Sequence, residues 1–256
     1  MFVMVILMPA ATLIIWVFTE RWSWPDLWPQ TFSLRAVREI TGRKGQLISL
    51  LGSSIFISVV VAFLSVGIGV MTARALVFYE FRGKRFFHFV SMLPFLVPAT
   101  VFAMGIQVSF IKVGLNNSVM GVVIAHLIYS LPYAVRLLLE GTRAVGQTLE
   151  EQARVLGASS GKAFLKISFP LLVPVMLTGF SMAYVVSFSQ YFLTLLIGGG
   201  KIKTFAIVMV PYLQSGNRNI ASVYGGLFLG VTLIVFGVTE RLAGKYSKKA
   251  GGEYYG

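Results

Sequence analysis

A chain of 256 residues that is 56% hydrophobic and only 12% charged, with a mean hydropathy of +0.80, lies outside the range of soluble globular domains. Its net charge of +13 does not mark a nucleic-acid partner, because the 22 Lys and Arg residues are spread over every loop between apolar stretches rather than gathered in one groove. Cysteine is absent, which excludes disulfides and thiolate metal sites.

Six apolar runs, at about 1–18, 47–73, 86–111, 118–139, 169–197 and 220–238, are each long enough to approach the roughly 30 Å of a bilayer core at about 1.5 Å per residue. The expected fold is therefore all-α and integral to the membrane, with about six transmembrane helices. The first run lacks a positive segment before it and a small-residue cleavage site after it, and so reads as a retained helix rather than a signal peptide. Trp16, Trp22, Trp24 and Trp28 follow with Pro25 and Pro29, the composition of an irregular loop resting on headgroups.

In the second run Ser54, Ser58, Ala62, Ser65 and Gly69 recur every three or four residues, placing small side chains on one helical face and predicting a close helix seam. Pro94 and Pro98 open the third run, Pro132 interrupts the fourth, and Pro170 with Pro174 opens the fifth. A proline beyond the first turn predicts a kink, which fits either a shared wet pathway or irregular packing. Along the fifth run Ser181, Tyr184, Ser187, Tyr191 and Thr194 form a polar stripe. Ser181 is expected in a helix seam. Tyr184, Ser187 and Tyr191, at the depth of Gln107, His126 and Tyr129, are expected to line a translocation pathway. Gly198, Gly199 and Gly200 then lead into an apolar stretch at 204–213, too short to cross and read as interfacial or re-entrant. No repeat of 20 to 50 residues divides the chain, so 1–256 reads as a single membrane domain.

The polar segment at about 140–170 separates the fourth and fifth runs. Thr148 followed by Glu151 has capping-box spacing, which predicts a helix from about Leu149. Val145, Leu149, Ala153 and Leu156 fall on one face, and Glu150 can pair with Arg154 on the other. Gly157 supplies a stop, and Ser159 can cap a second short helix carrying Lys162, Phe164, Lys166 and Ile167 into Pro170. A helix-turn-helix elbow results. On local rules alone these residues read equally as a cap, a stop and flanking charges.

Glu151, Ala153, Gly157, Ile167 and Pro170 also stand in the spacing E-x-A-x3-G-x9-I-x-x-P, which resembles the EAA loop of the membrane subunits of type I binding-protein-dependent ABC importers. It departs from that pattern at Gln152 and Phe169, where the family usually has Ala and Leu. The resemblance extends through the 92–98, 126–133 and 187–200 segments, and the opening around Trp24, Pro25 and 32–34 is similar to the polyamine, thiamine or iron branch. It implies a permease domain whose elbow, through Glu151, Ala153, Arg154, Gly157, Ala158, Lys162, Ile167 and Pro170, couples to a cytoplasmic ATPase dimer. It further implies a second permease subunit, with a heterodimer favoured over a homodimer, an extracytoplasmic substrate-binding protein and a lipid environment. No cofactor is expected on this chain, with ATP and magnesium on the partner ATPase. The elbow's cytoplasmic ATPase also orients the chain, placing both termini inside a bacterial inner membrane. The distribution of basic residues alone is equivocal, with thirteen of 22 falling on the same side.

The alternative is a secondary transporter or channel driven by an ion gradient. All nine acidic residues lie in or beside predicted loops and tails, which leaves no intramembrane relay. A membrane enzyme would need a base or metal cluster, and the only histidines, His88 and His126, have no carboxylate at ligand spacing. Gly200 and Lys201 are followed by Ile202 rather than the Ser or Thr of a phosphate-binding loop, so the chain is not expected to hydrolyse ATP. No transported substrate is legible.

Overall fold

Residues 44–78 hold no proline and are apolar for most of their length, and they form one continuous helix, α3 (Lys44–Phe78), the first of four among the described residues that are long and apolar enough to cross a membrane. The others are α7 (Val119–Val145), the helical stretch Ser160–Phe188, and the Arg218–Tyr246 part of α13 (Arg218–Tyr254). This computed structural model describes residues 2–254 except Trp24, and leaves aside the side chains of 2–7, 10, 94, 95 and 247–254. Trp24 of the tryptophan cluster and the ring of Pro94 thus lie outside the described residues.

The first run forms α1 (Phe2–Val17), whose 16 residues rise only about 24 Å. The tryptophan-rich segment after it is not wholly irregular. Two short antiparallel strands, β1 (Thr19–Arg21) and β2 (Thr31–Phe32), pair Thr19 with Phe32 and Arg21 with Thr31. Trp16 stacks on Trp22 at 5.1 Å, and the Arg218 guanidinium lies 5.3 Å over Trp16. The amphipathic α2 (Arg35–Gly42) follows.

The third run is not one helix. It divides into α4 (Lys84–Val90), α5 (Leu93–Leu96) and α6 (Ala99–Lys112). Val97 is extended (φ −100°, ψ 127°), as the residue before a proline prefers to be, and Pro98 restarts the chain at the head of α6. The fifth run is also broken. After the short α8 (Thr148–Val155), α9 (Ser160–Ala163) and a π-helical turn (Phe164–Ser168), α10 (Phe169–Phe188) stops and α11 (Phe192–Gly198) begins after a gap of three residues. Pro132, by contrast, does not interrupt α7. The stretch expected at 204–213 forms the short helix α12 (Phe205–Gln214).

The chain groups into two compact units. One takes residues up to Ile55 and Lys203–Ile234, the other Phe56–Ile202 and residues from Val235 onward. In the first, Ala36 and Ile40 of α2 pack with Ile220 of α13, and Ser54 Oγ accepts from the Phe205 amide at 2.6 Å. In the second, Ile57 and Val61 of α3, Ala103 and Phe110 of α6, Val122 and Ala125 of α7, and Leu193 and Ile197 of α11 make the core. The small-residue seam forms as expected. Ser58, Ala62 and Ser65 are buried, Ser65 Oγ lies 3.1 Å from Ser130 Oγ of α7, and a Cβ on Gly69 would meet Leu138 at 2.8 Å.

The glycine run after α11 has a specific purpose at Gly199. Its φ of +53° is left-handed, and a Cβ there would collide with the Asn117 side chain, whose backbone amide donates to the Ile197 carbonyl at 2.7 Å.

Candidate functional site

The elbow begins where α7 ends. Gly146 takes a φ of +67° and its amide closes on the Thr142 carbonyl at 3.1 Å. The expected capping box does not form. Thr148 is already the first helical residue, the preceding Gln147 makes no side-chain cap, and Glu151 points its carboxylate to solvent. The acid held in the first turn is Glu150 instead. It pairs not with Arg154 but with Arg74 of α3, whose two terminal nitrogens donate to its two carboxylate oxygens at 2.6 and 2.9 Å. Both side chains are largely buried, at 6% and 17% exposure, and the geometry is the bidentate fork that guanidinium and carboxylate share. The Arg74 hydrogen bonds hold the Glu150 carboxyl below its ordinary range. Burial opposes that effect, and Ser168 and the charge of Arg154 reinforce it.

The turn closes as a Schellman motif. Gly157, at φ +91°, donates to the Arg154 carbonyl at 3.0 Å, and the Ala158 amide reaches the Ala153 carbonyl at 2.9 Å. Ser159 caps α9 by accepting from the Lys162 amide at 3.5 Å. Ala163 is buried, and the π-helical turn carries the chain through a half-buried Ile167 and Pro170 into α10. Glu151, Arg154, Gly157 and Lys162 are exposed, whereas Ala153 and Ala158 are half-buried. The apolar face is uncovered at Leu149 and above all at Leu156, which together with its neighbour Val155 is 88% exposed. Leu165 on the second arm is 61% exposed. Val155 and Leu156 are thus branched apolar side chains that their own chain leaves uncovered on a polar segment outside the four long helices.

The six residues expected along a pathway separate into two sets. His126 of α7 is buried with both ring nitrogens engaged, Nδ1 with Ser187 Oγ of α10 and Nε2 with Thr194 Oγ1 of α11, each at 2.9 Å. Tyr184 is fully buried and stacks on Phe188 at 5.5 Å. His126, Ser187 and Tyr184 thus sit in the interior rather than on an open wall. Gln107, Tyr129 and Tyr191 are half-buried, with Gln107 Nε2 donating to the Leu196 carbonyl at 3.1 Å and Tyr129 against Phe102 at 5.7 Å. Ser181 lies in the expected seam, 2.6 Å from Thr239 Oγ1 of α13. Sequence reasoning missed Arg74, and no local signal marks it among the other basic residues flanking the spans.

The sequence model described as "Binding-protein-dependent transport system inner membrane component" matches residues 65–248. The molybdate/tungstate transport system permease protein WtpB of Pyrococcus abyssi is 28% identical over 199 residues, covering 78% of this chain and 79% of that protein. The probable sulfate transport system permease protein cysT of Prototheca wickerhamii is 26% identical over 213 residues, 77% and 84% of the two chains. The spermidine/putrescine transport system permease protein PotC of Haemophilus influenzae is 25% identical over 163 residues, 64% and 63% of the two. In fold, the chain matches one from a bacterial ABC transporter involved in the import of the acidic polysaccharide alginate, with a TM-score of 0.68 over 93% of this chain and 89% of that one at 13% identity.

Proposed function

This chain belongs to the family of binding-protein-dependent transport system inner membrane components and is the membrane permease subunit of an ABC importer, and from that premise we propose that its elbow receives the force of ATP hydrolysis. The observation that carries the proposal is the uncovered pair Val155 and Leu156 at the end of α8, from which the Gly157 turn, α9 and the π-helical turn lead into α10. Glu151, Ala153, Arg154, Gly157, Ala158, Lys162, Ile167 and Pro170 form the coupling element against a cytoplasmic ATPase dimer, which binds the ATP and magnesium. A second, different permease subunit and an extracytoplasmic binding protein complete the assembly within lipid. The chain crosses six times as one permease domain, the broken third run and α1 serving as crossings beside the four long helices, with both termini in the cytoplasm of a bacterial cell. Gln107, Tyr129 and Tyr191 face the path, and His126, Tyr184 and Ser187 form the wall behind them. The names of the relatives carry molybdate, tungstate, sulfate, spermidine and putrescine, which are chemically too diverse to assign one substrate to this chain.

Capture of the tagged chain from mild detergent, with mass spectrometry of what accompanies it, tests the assembly. An ABC ATPase, a second permease and a binding protein are expected together. Capture without any ATPase, alongside uptake by the lone chain driven by an ion gradient, would return the reading to a secondary transporter.

A further inference from the structure

The eight-residue helix α8 is joined to its surroundings by two glycines with left-handed φ, Gly146 at +67° and Gly157 at +91°. Neither has anything within 4 Å of where a Cβ would stand. A helix this short is marginal alone, and backbone pivots of this kind do not fix its direction. What ties it to α3 is Arg74, while Ser168 of the π-helical turn also bonds Glu150. The Arg74 fork grips Glu150 in the first turn of α8 at 2.6 and 2.9 Å, and the same guanidinium lies 4.4 Å over the ring of Phe164 in the π-helical turn leading to α10. It also lies 5.4 Å from the ring centre of Phe78 on its own helix. The two elbow residues it touches lie on opposite arms, before and after the Gly157 turn.

We propose that Arg74 is the positioning residue of the elbow, clamping both arms to the end of α3 so that the elbow, α3 and the head of α10 move as one body. The proposal rests on the coupling reading above for its consequence, but its geometry concerns this chain alone. A planar guanidinium is required, since it serves a carboxylate along its edge and an aromatic ring on its face simultaneously, which an ammonium group does not. A push on Val155 and Leu156 then reaches α3 as well as α10. Without Arg74 it is absorbed at Gly146 and Gly157.

The native chain has no cysteine, so spin labels at Met71→Cys on α3 and Gln152→Cys on α8, a position outside the coupling residues named above, are unique, both parent residues being exposed. Distances between them are measured by pulsed electron resonance on the full chain in lipid nanodiscs, first alone and then with the co-expressed ATPase before and after ATP with vanadate. The unaltered pair is expected to give one narrow distribution that does not shift with nucleotide. Arg74→Met and Glu150→Gln are expected to widen it at least twofold and to make it move with nucleotide, with Arg74→Lys lying between. Glu150→Gln and Arg74→Lys decide the matter should Arg74→Met fail to insert. Widths in Glu150→Gln and Arg74→Lys as narrow as with Arg74 and Glu150 intact overturn the clamp. A nucleotide-driven shift as large with the clamp intact as without it overturns the single moving body. Failure of any ATPase to bind the intact chain defeats the coupling reading instead, while the widths measured on the chain alone still judge Arg74.

Discussion

Glu150 is the residue at which charge, burial and position meet. Its carboxyl is held below the ordinary range by the Arg74 fork, helped by Ser168 and Arg154 and opposed by its own burial. A group whose folded-state pKa is depressed contributes stability that is fully present above its unfolded value, near 4, and is lost as pH falls through the folded one. Glu150→Gln is therefore expected to cost about 1 to 3 kcal/mol at neutral pH, the scale of a charge-assisted hydrogen bond. The gap between the two proteins should close below about pH 4. Thermal unfolding midpoints in detergent across that range provide the check, and a gap independent of pH would assign the cost to shape alone. Gly157 makes a different demand. The space around it is open, so Gly157→Val is penalised only by its φ of +91°, about 1 to 2 kcal/mol. Gly161, on the same elbow with equally open space and no left-handed φ, is the control, and Gly161→Ala should be near neutral. ATP hydrolysis stimulated by the loaded binding protein in the assembled complex is expected to drop in the first variant and persist in the second, at equal amounts in the membrane.

Between elements, the polar stripe of the fifth run is divided by the break it crosses. Ser187 lies before the gap and Thr194 after it, and His126 of α7 holds both. Thr194 Oγ1 in turn donates to the Gln190 carbonyl at 2.8 Å, supporting α11 at its start. Nothing in the sequence announces this break, because Ser189, Gln190 and Tyr191 include no proline or glycine and the partners that stabilise it lie on α7. At Pro98 only a kink was legible in the sequence, and the structure goes further, with an extended Val97 separating α5 from α6. The seam of Ser58, Ala62, Ser65 and Gly69 was legible from spacing, and so were Gly157 as a stop and Ser159 as a cap. The capping box failed because α8 starts one residue earlier than Thr148 allows. The Arg74 to Glu150 pair, 76 residues apart, had no local signature at all. The burial pattern sharpens the labelling expected along the stripe. A cysteine at Tyr191 should react with a small charged thiol reagent in the assembled complex. One at Ser187, 2% exposed behind His126, should stay inert. Equal reaction at both would mean that the wall opens as far as His126.

For the molecule as a whole, the apolar surface divides by what is available to cover it. The apolar stretch of α7 is 56% buried within the chain and that of α13 only 17%, so α7 is a packing centre while α13 leaves most of its surface uncovered by its own chain, a surface apolar enough for a bilayer to cover. Val155 and Leu156 have no such cover from the bilayer, for they belong to a segment with Glu151, Gln152 and Arg154 that is too polar and too short to enter it. Their 88% exposure predicts that Leu156→Asp leaves the isolated chain intact, because surface changes away from packed features generally stay within about 0.5 kcal/mol. Against an ATPase surface the same carboxylate would be buried without a partner, a penalty of more than about 2 kcal/mol and thus a roughly 30-fold loss of affinity. Co-purification of the ATPase with Leu156→Asp should accordingly collapse while the chain keeps its membrane insertion and its unfolding midpoint. Undiminished ATPase recovery with Leu156→Asp and Val155→Asp combined would show that the partner docks elsewhere. A loss confined to the unfolding midpoint would instead make the two residues part of a contact within the chain.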